Sequence, residues 1–167
     1  MKKILILLAI CTLISCKSKL KPREMGAFEY KTTCVSNQNG SLIVMAWGMG
    51  STKKICEENA LKKAISDVVF KGIKDGNQAC QSAPILGKVS AEKDYQDFFA
   101  TFLSDNGKFR EYAQIYDEPR SQNRSKKIRK LDRVENLALE FQITVDRKGL
   151  AKLLSQESIL KNSQNEN

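Results

Sequence analysis

Residues 28–50 read FEYKTTCVSNQNGSLIVMAWGMG, two segments of strand composition separated by Asn39-Gly40. Asn-Gly is the preferred pair for a two-residue type I′ turn, which joins neighbouring antiparallel strands. The sequence therefore predicts a hairpin whose strands run from Phe28 to Asn37 and from Ser41 to Met49.

The turn also fixes a predicted pairing of the two strands. With Asn39 and Gly40 as the loop, Cys34 pairs with Met45 and Thr32 with Trp47. These side chains then share one apolar face, which we expect to pack in the core together with Phe28, Tyr30, Ile43 and Met49.

A long amphipathic helix is expected after the hairpin. Gly48 and Gly50 are interpreted as residues that let the chain turn from sheet to helix, and Ser51 or Thr52 offers an N-cap. Apolar residues then recur at spacings of three and four as far as Gly72, which predicts a helix of about twenty residues. They are Cys56, Ala60, Leu61, Ala64, Ile65, Val68 and Val69.

A second helix is predicted from Ser90 to the Asn106-Gly107 pair, with a loop from Lys74 to Val89 before it. Its aromatic and apolar residues share one face at helical spacing, which favours core packing. They are Tyr95, Phe98, Phe99, Phe102 and Leu103. If Phe98, Phe99 and Phe102 instead lined an open cavity, that cavity would indicate a ligand-binding module.

The C-terminal half contains the clearest strand, residues 137–145, in which apolar and other residues alternate strictly. Asp146 is placed to cap a last helix. The segment Phe109 to Asp117 fits either a helix or a strand, and we predict a strand.

The expected fold is α+β, with element order β-β-α-α-β-β-α. An antiparallel sheet of three or four strands would carry two main helices on one face.

The N-terminal segment is typical of an export signal. Lys2 and Lys3 precede an apolar run from Ile4 to Ile14 that is too short to span a bilayer. Leu13-Ile14-Ser15-Cys16 resembles the lipobox of bacterial lipoproteins, in which cleavage between Ser15 and Cys16 leaves Cys16 as the acylated N-terminus. An ordinary secretory signal is the alternative.

This interpretation divides the chain into a signal peptide (1–15), a tether (16–27), one α+β domain (28–160) and a disordered polar tail (161–167). Stable attachment to a membrane requires more than one acyl chain, which lipoproteins carry. In lipoproteins of double-membrane bacteria, an aspartate directly after the cysteine commonly retains the protein at the inner membrane. Here Lys17 follows Cys16 instead. The sequence therefore predicts an outer-membrane lipoprotein that faces the periplasm.

Cysteine and histidine content limits the chemistry. After removal of the signal and acylation of Cys16, the remaining thiols are Cys34, Cys56 and Cys80, which allow one disulfide in three possible pairings. The chain contains no histidine, so it lacks the commonest general base and metal ligand. We expect a non-enzymatic protein without a metal or cofactor.

Positive charge is concentrated between Arg120 and Arg133, a segment that contains seven basic residues and one acidic residue, Asp132. Removal of residues 1–15 lowers the formal net charge from +9 to +7, and this segment supplies +6 of it. Such a segment suits an anionic envelope surface or an acidic envelope protein. The alternative is a solvated loop, and nucleic acid is not an expected partner of an exported protein. The candidate patch comprises Arg124, Lys126, Lys127, Arg129 and Lys130.

Four short stretches of the sequence carry a family resemblance. The stretches are Trp47-Gly48-Met49-Gly50, Glu58-Asn59-Ala60-Leu61-Lys62-Lys63-Ala64-Ile65, the late strand, and Val145-Asp146-Arg147. They resemble small envelope lipoproteins related to the N-terminal domain of flagellar assembly protein T. The resemblance implies an accessory or scaffold domain for an envelope or surface assembly. The alternatives are a periplasmic ligand-binding module and a histidine-independent envelope hydrolase.

Overall fold

The computed structural model describes residues 31–116, 129–130, 137–157 and Ile159. The predicted signal, tether and tail lie outside these ranges, as do Cys16 and three members of the candidate patch, Arg124, Lys126 and Lys127. The strands are β1 (Thr33–Gln38), β2 (Ser41–Gly50), β3 (Asp75–Gly76), β4 (Ala113–Ile115), β5 (Arg129–Lys130) and β6 (Leu137–Val145).

The helices of the described ranges are α1 (Lys53–Ser66), α2 (Ala91–Asp94), α3 (Gln96–Phe102) and α4 (Arg147–Gln156). A π-helical segment, Asp67–Lys71, continues α1 directly, and 3₁₀ turns occupy Gln78–Cys80 and Lys108–Glu111. Thr52 caps α1 by accepting a hydrogen bond from the backbone N–H of Ile55 at 3.3 Å. The predicted twenty-residue helix is therefore present as α1 and its π-helical continuation.

The strands form one sheet in the order β3-β1-β2-β6-β4, and β5 also pairs with β6. All described pairings are antiparallel except that of β1 with β3. The predicted α+β class is confirmed. The prediction of three or four purely antiparallel strands is wrong, because the segment after α1, expected to be loop, contributes the short parallel strand β3.

The hairpin turn is confirmed, but the pairing beyond it is not. Asn39 and Gly40 both have positive φ, 53° and 91°, as a type I′ turn requires. Pairing follows the predicted register from Gln38 to Ser36, after which a β-bulge inserts Val35. Cys34 consequently lies opposite Val44 instead of Met45.

The buried face of β2 is also different from the predicted one. The helix-covered face of β2 carries Leu42, Val44, Ala46 and Gly48, which are all buried. Trp47 lies on the opposite face, partly exposed and opposite Glu140 of β6. The predicted core position of Trp47 is therefore wrong.

The late strand behaves as its alternation predicts. Leu139, Phe141, Ile143 and Val145 belong to the main hydrophobic core, beneath the buried apolar residues of α1. Asp146 caps α4, as expected, by accepting a hydrogen bond from the N–H of Gly149 at 2.8 Å.

The second predicted helix is interrupted. Tyr95 has φ −114° and ψ 25°, which separates α2 from α3. Phe99 and Phe102 are buried, whereas Phe98 is only partly buried and contacts both rings. The aromatic cluster is thus part of the core.

The predicted strand at Phe109 to Asp117 is confirmed only in part. Residues 108–111 form a 3₁₀ turn, and the strand β4 covers Ala113–Ile115. β4 and β5 pair with opposite ends of β6, both on the edge away from β2. Thirteen residues lie between Ile115 and Arg129 in the chain, whereas four lie between their partners Ala138 and Ile143.

In the part of the chain that the structure describes, no helix combines the length and apolar character needed to cross a membrane.

Candidate functional site

The most unusual polar side chain of the described core is Asp67, at the start of the π-helical segment. Its side chain is only 7% exposed, and π-helical segments within helices occur frequently at functional sites. Three groups surround its carboxylate. Thr32 donates a hydrogen bond at 2.6 Å, Lys63 contacts the same oxygen at 2.7 Å, and Lys71 contacts the other oxygen at 2.9 Å.

These contacts decide the charge state of Asp67. Burial by itself would raise the pKa of this carboxyl, because it disfavours the charged form. The hydrogen bonds from Lys63, Thr32 and Lys71 outweigh burial and hold the pKa of Asp67 below its ordinary value of 3.8. Asp67 is therefore ionised at neutral pH and fixes two lysine side chains at the surface.

An open cleft of about 310 Å³ lies over this carboxylate. Its lining contains four lysines and two aspartates, a formal excess of two positive charges. Lys31 lies 3.6 Å from Asp75, and Lys74 makes no ion pair with any described residue. The full lining is Lys31, Thr32, Lys63, Asp67, Lys71, Gly72, Lys74 and Asp75.

One wall of the cleft is held to the sheet by a disulfide. β3 pairs with β1 through Thr33 opposite Asp75 and Cys34 opposite Gly76. Cys34 is disulfide-bonded to Cys80, with 6.0 Å between their Cα atoms, inside the normal range. Of the three pairings left open by the sequence, the structure contains this one. Cys56 is buried on α1, and its thiol donates to the carbonyl of Gly50.

A second polar cluster joins α1 to the 3₁₀ turn before β4. Glu58 forms salt bridges with Lys62 at 3.1 Å and with Arg110 at 2.9 Å, and Lys62 also contacts Asp105 at 3.0 Å. The Arg110 guanidinium stacks 4.4 Å from the buried ring of Phe109. Because every charge in this cluster has an opposite partner, we interpret it as structural.

None of the candidate site residues that the sequence singled out is among the described residues that line the cleft. Ser15, Cys16, Arg124, Lys126 and Lys127 lie outside the described residues. Arg129 and Lys130 form β5, opposite Ala138 and Leu137. Of the candidate patch, the structure therefore describes only the backbone of its last two members.

Sequence reasoning missed the cleft, although one signal was present. Lys63 and Lys71 lie four residues before and after Asp67, which is the spacing that brings helical side chains together. Thr32 and the residues after Gly72 reach the same place through sheet pairing, which a helical spacing does not reveal.

In the described ranges, no group of three or more histidine, cysteine, aspartate or glutamate side chains is arranged to hold a metal ion. In comparisons with known proteins, no family model, curated protein or solved structure matches this chain significantly.

Proposed function

We propose that this protein is a lipid-anchored, non-enzymatic cell-envelope protein that acts as an accessory or scaffold for an envelope or surface assembly. Acylated Cys16 attaches it to the outer membrane, and the domain faces the periplasm. The resemblance to lipoproteins related to flagellar assembly protein T is part of this proposal.

The disulfide between Cys34 and Cys80 is the structural observation that favours an exported protein. Disulfides persist in oxidising compartments such as the bacterial periplasm and are rare in the cytosol. The predicted export signal leads to the same compartment and rests on an independent part of the chain.

Replacement of the predicted acylated residue tests the anchoring. We expect Cys16→Ala to abolish metabolic labelling with a palmitate analogue, slow signal cleavage and release the domain from washed membranes. Cys11→Ala is the matched control, since Cys11 lies inside the predicted signal and should leave all three unchanged. Unchanged labelling of the Cys16 variant would overturn the lipoprotein assignment.

The basic segment is the proposed contact with an acidic envelope protein or an anionic envelope surface. Crosslinking in intact cells, followed by identification of the bound proteins, would name a partner. Reversal of Lys126, Lys127, Arg129 and Lys130 to Glu should abolish a crosslink that depends on this segment. Reversal of four exposed lysines elsewhere, Lys53, Lys54, Lys108 and Lys152, controls for the change in net charge. Equal crosslinking of both variants and the natural chain would contradict a role for the basic segment.

A further inference from the structure

We propose that the cleft formed by Lys31, Lys63, Lys71 and Lys74 over Asp67 binds a phosphate group, either free or as part of a lipid headgroup. None of the described lining residues belongs to the basic segment, and the proposal does not depend on acylation of Cys16.

The first argument is the fixed position of two of the cations. Lysine loses much side-chain freedom when it binds a ligand, which costs free energy. Lys63 and Lys71 are already held by Asp67, at 2.7 and 2.9 Å. The buried carboxylate therefore acts as an anchor that orders both ammonium groups before any ligand arrives.

The second argument is charge balance. Asp67 cancels one of its two lysines and Asp75 cancels Lys31, so the cleft keeps two positive charges in excess. Free phosphate or a phosphomonoester headgroup carries about −1.5 to −2 charges at neutral pH, which matches this excess, whereas a single carboxylate neutralises half of it. Lysine binds phosphate as a point charge and does not need the fixed fork of arginine.

A competing explanation is that these lysines only complement a helix end. The π-helical segment ends at Lys71, where the helix dipole places partial negative charge, and cations there stabilise the helix. That role accounts for Lys63 and Lys71. It does not account for Lys74, which reaches the cleft from outside the helix and makes no ion pair with a described residue.

The experiment is a titration of the full chain in nonionic micelles with inorganic phosphate at low ionic strength, followed by the amide NMR signals of Thr32 and Gly72. We expect saturable shifts, and weaker binding of acetate at equal concentration. The double variant Lys31→Gln, Lys74→Gln should bind phosphate at least about tenfold more weakly, because both charges are lost. Both lysines are exposed, so this variant should fold normally.

The matched control is Lys53→Gln, Lys54→Gln, which removes the same charge from the first turn of α1. These exposed lysines lie about 25 Å along the helix axis from Lys71. The control should bind phosphate within about twofold of the natural chain, since distant exposed charges contribute little. Saturable binding of free phosphate with equal losses in both variants, or acetate binding as tight as phosphate, would overturn the proposal.

The lipid source is distinguished by vesicles of equal parts phosphatidylcholine and phosphatidic acid, whose headgroup is a phosphomonoester. All variants share the same N-terminal segment, so any difference between them reports the cleft. Loss of vesicle binding in the Lys31, Lys74 variant, without saturable binding of free phosphate, would assign the site to a lipid phosphate. Saturable binding of free phosphate with no variant effect on vesicles would assign it to a soluble phosphate. No variant effect in either assay would overturn the proposal.

Discussion

Gly48 of β2 lies directly beneath the carbonyl oxygen of Cys56 in α1, and a Cβ atom on Gly48 would overlap that oxygen. The same atom would lie 2.7 Å from the backbone nitrogen of Ala60. The absence of a side chain therefore allows α1 to approach the sheet closely, and Cys56, Ala60 and Ala64 line the contact with small buried side chains.

Gly48→Ala should consequently destabilise the domain by about 1–3 kcal/mol or more, because two backbone segments must separate to admit one methyl group. Urea unfolding of the full chain measures this loss. Gly87→Ala is the control, since nothing lies within 4 Å of a Cβ at that exposed position. If the two variants lost equal stability, the close approach of helix and strand would not be the cause.

Gly48 and Gly50 show which structural features the sequence pattern could predict and which it could not. Gly48 and Gly50 were predicted to end the strand, but β2 continues through Gly50. Glycine marks both chain breaks and sites of close backbone approach, and the second use depends on an element that packs from elsewhere in the chain. The helix itself was predictable, because its apolar spacing and its Thr52 cap are local features.

The shared face of Cys34, Met45 and Trp47 was mispredicted because of the bulge in β1. Period-two alternation relates the faces of two strands only if the register is unbroken, and the bulge at Val35 shifts the pairing of Cys34 from Met45 to Val44. No turn residue marks this bulge in the sequence. The candidate cleft was harder still to predict from the sequence, because it brings together Thr32, Asp67 and Asp75 from three separate segments of the chain.

The aromatic core gives a second prediction. Phe99→Ala should cost about 3–5 kcal/mol, because its ring is buried among Phe70, Phe98 and Phe102. Phe98→Ala should cost less, because Phe98 is partly exposed. Urea unfolding of the two variants side by side measures the difference. A larger loss for Phe98 would contradict the packing described.

The disulfide gives a third prediction. Cys34 and Cys80 are 46 residues apart, and restriction of a loop of that length in the unfolded chain contributes about 4 kcal/mol in the chain-entropy account. The double variant Cys34→Ala, Cys80→Ala should therefore lose about 2–4 kcal/mol of unfolding free energy. Reductant should lower the natural chain to a similar level and leave the double variant unchanged. A natural chain insensitive to reductant would show that the bond does not form.

The last prediction concerns the pH dependence that Asp67 confers. Its pKa in the folded chain lies below 3.8, whereas the unfolded chain has the ordinary value, so the folded state favours the ionised carboxylate. Stability from this group is fully present above pH 3.8 and is lost as the pH falls through the lower, folded-state pKa.

Asp67→Asn should cost about 1–3 kcal/mol at neutral pH, because the charged hydrogen bonds to Lys63 and Lys71 are weakened. The difference from the natural chain should narrow below pH 3.8, where the natural carboxyl also becomes neutral. Unfolding free energies measured across this range test it, with the exposed Asp97→Asn as the control that should change little at any pH. A difference that stayed constant down to the lowest pH would show that Asp67 stabilises the fold by its shape rather than by its charge.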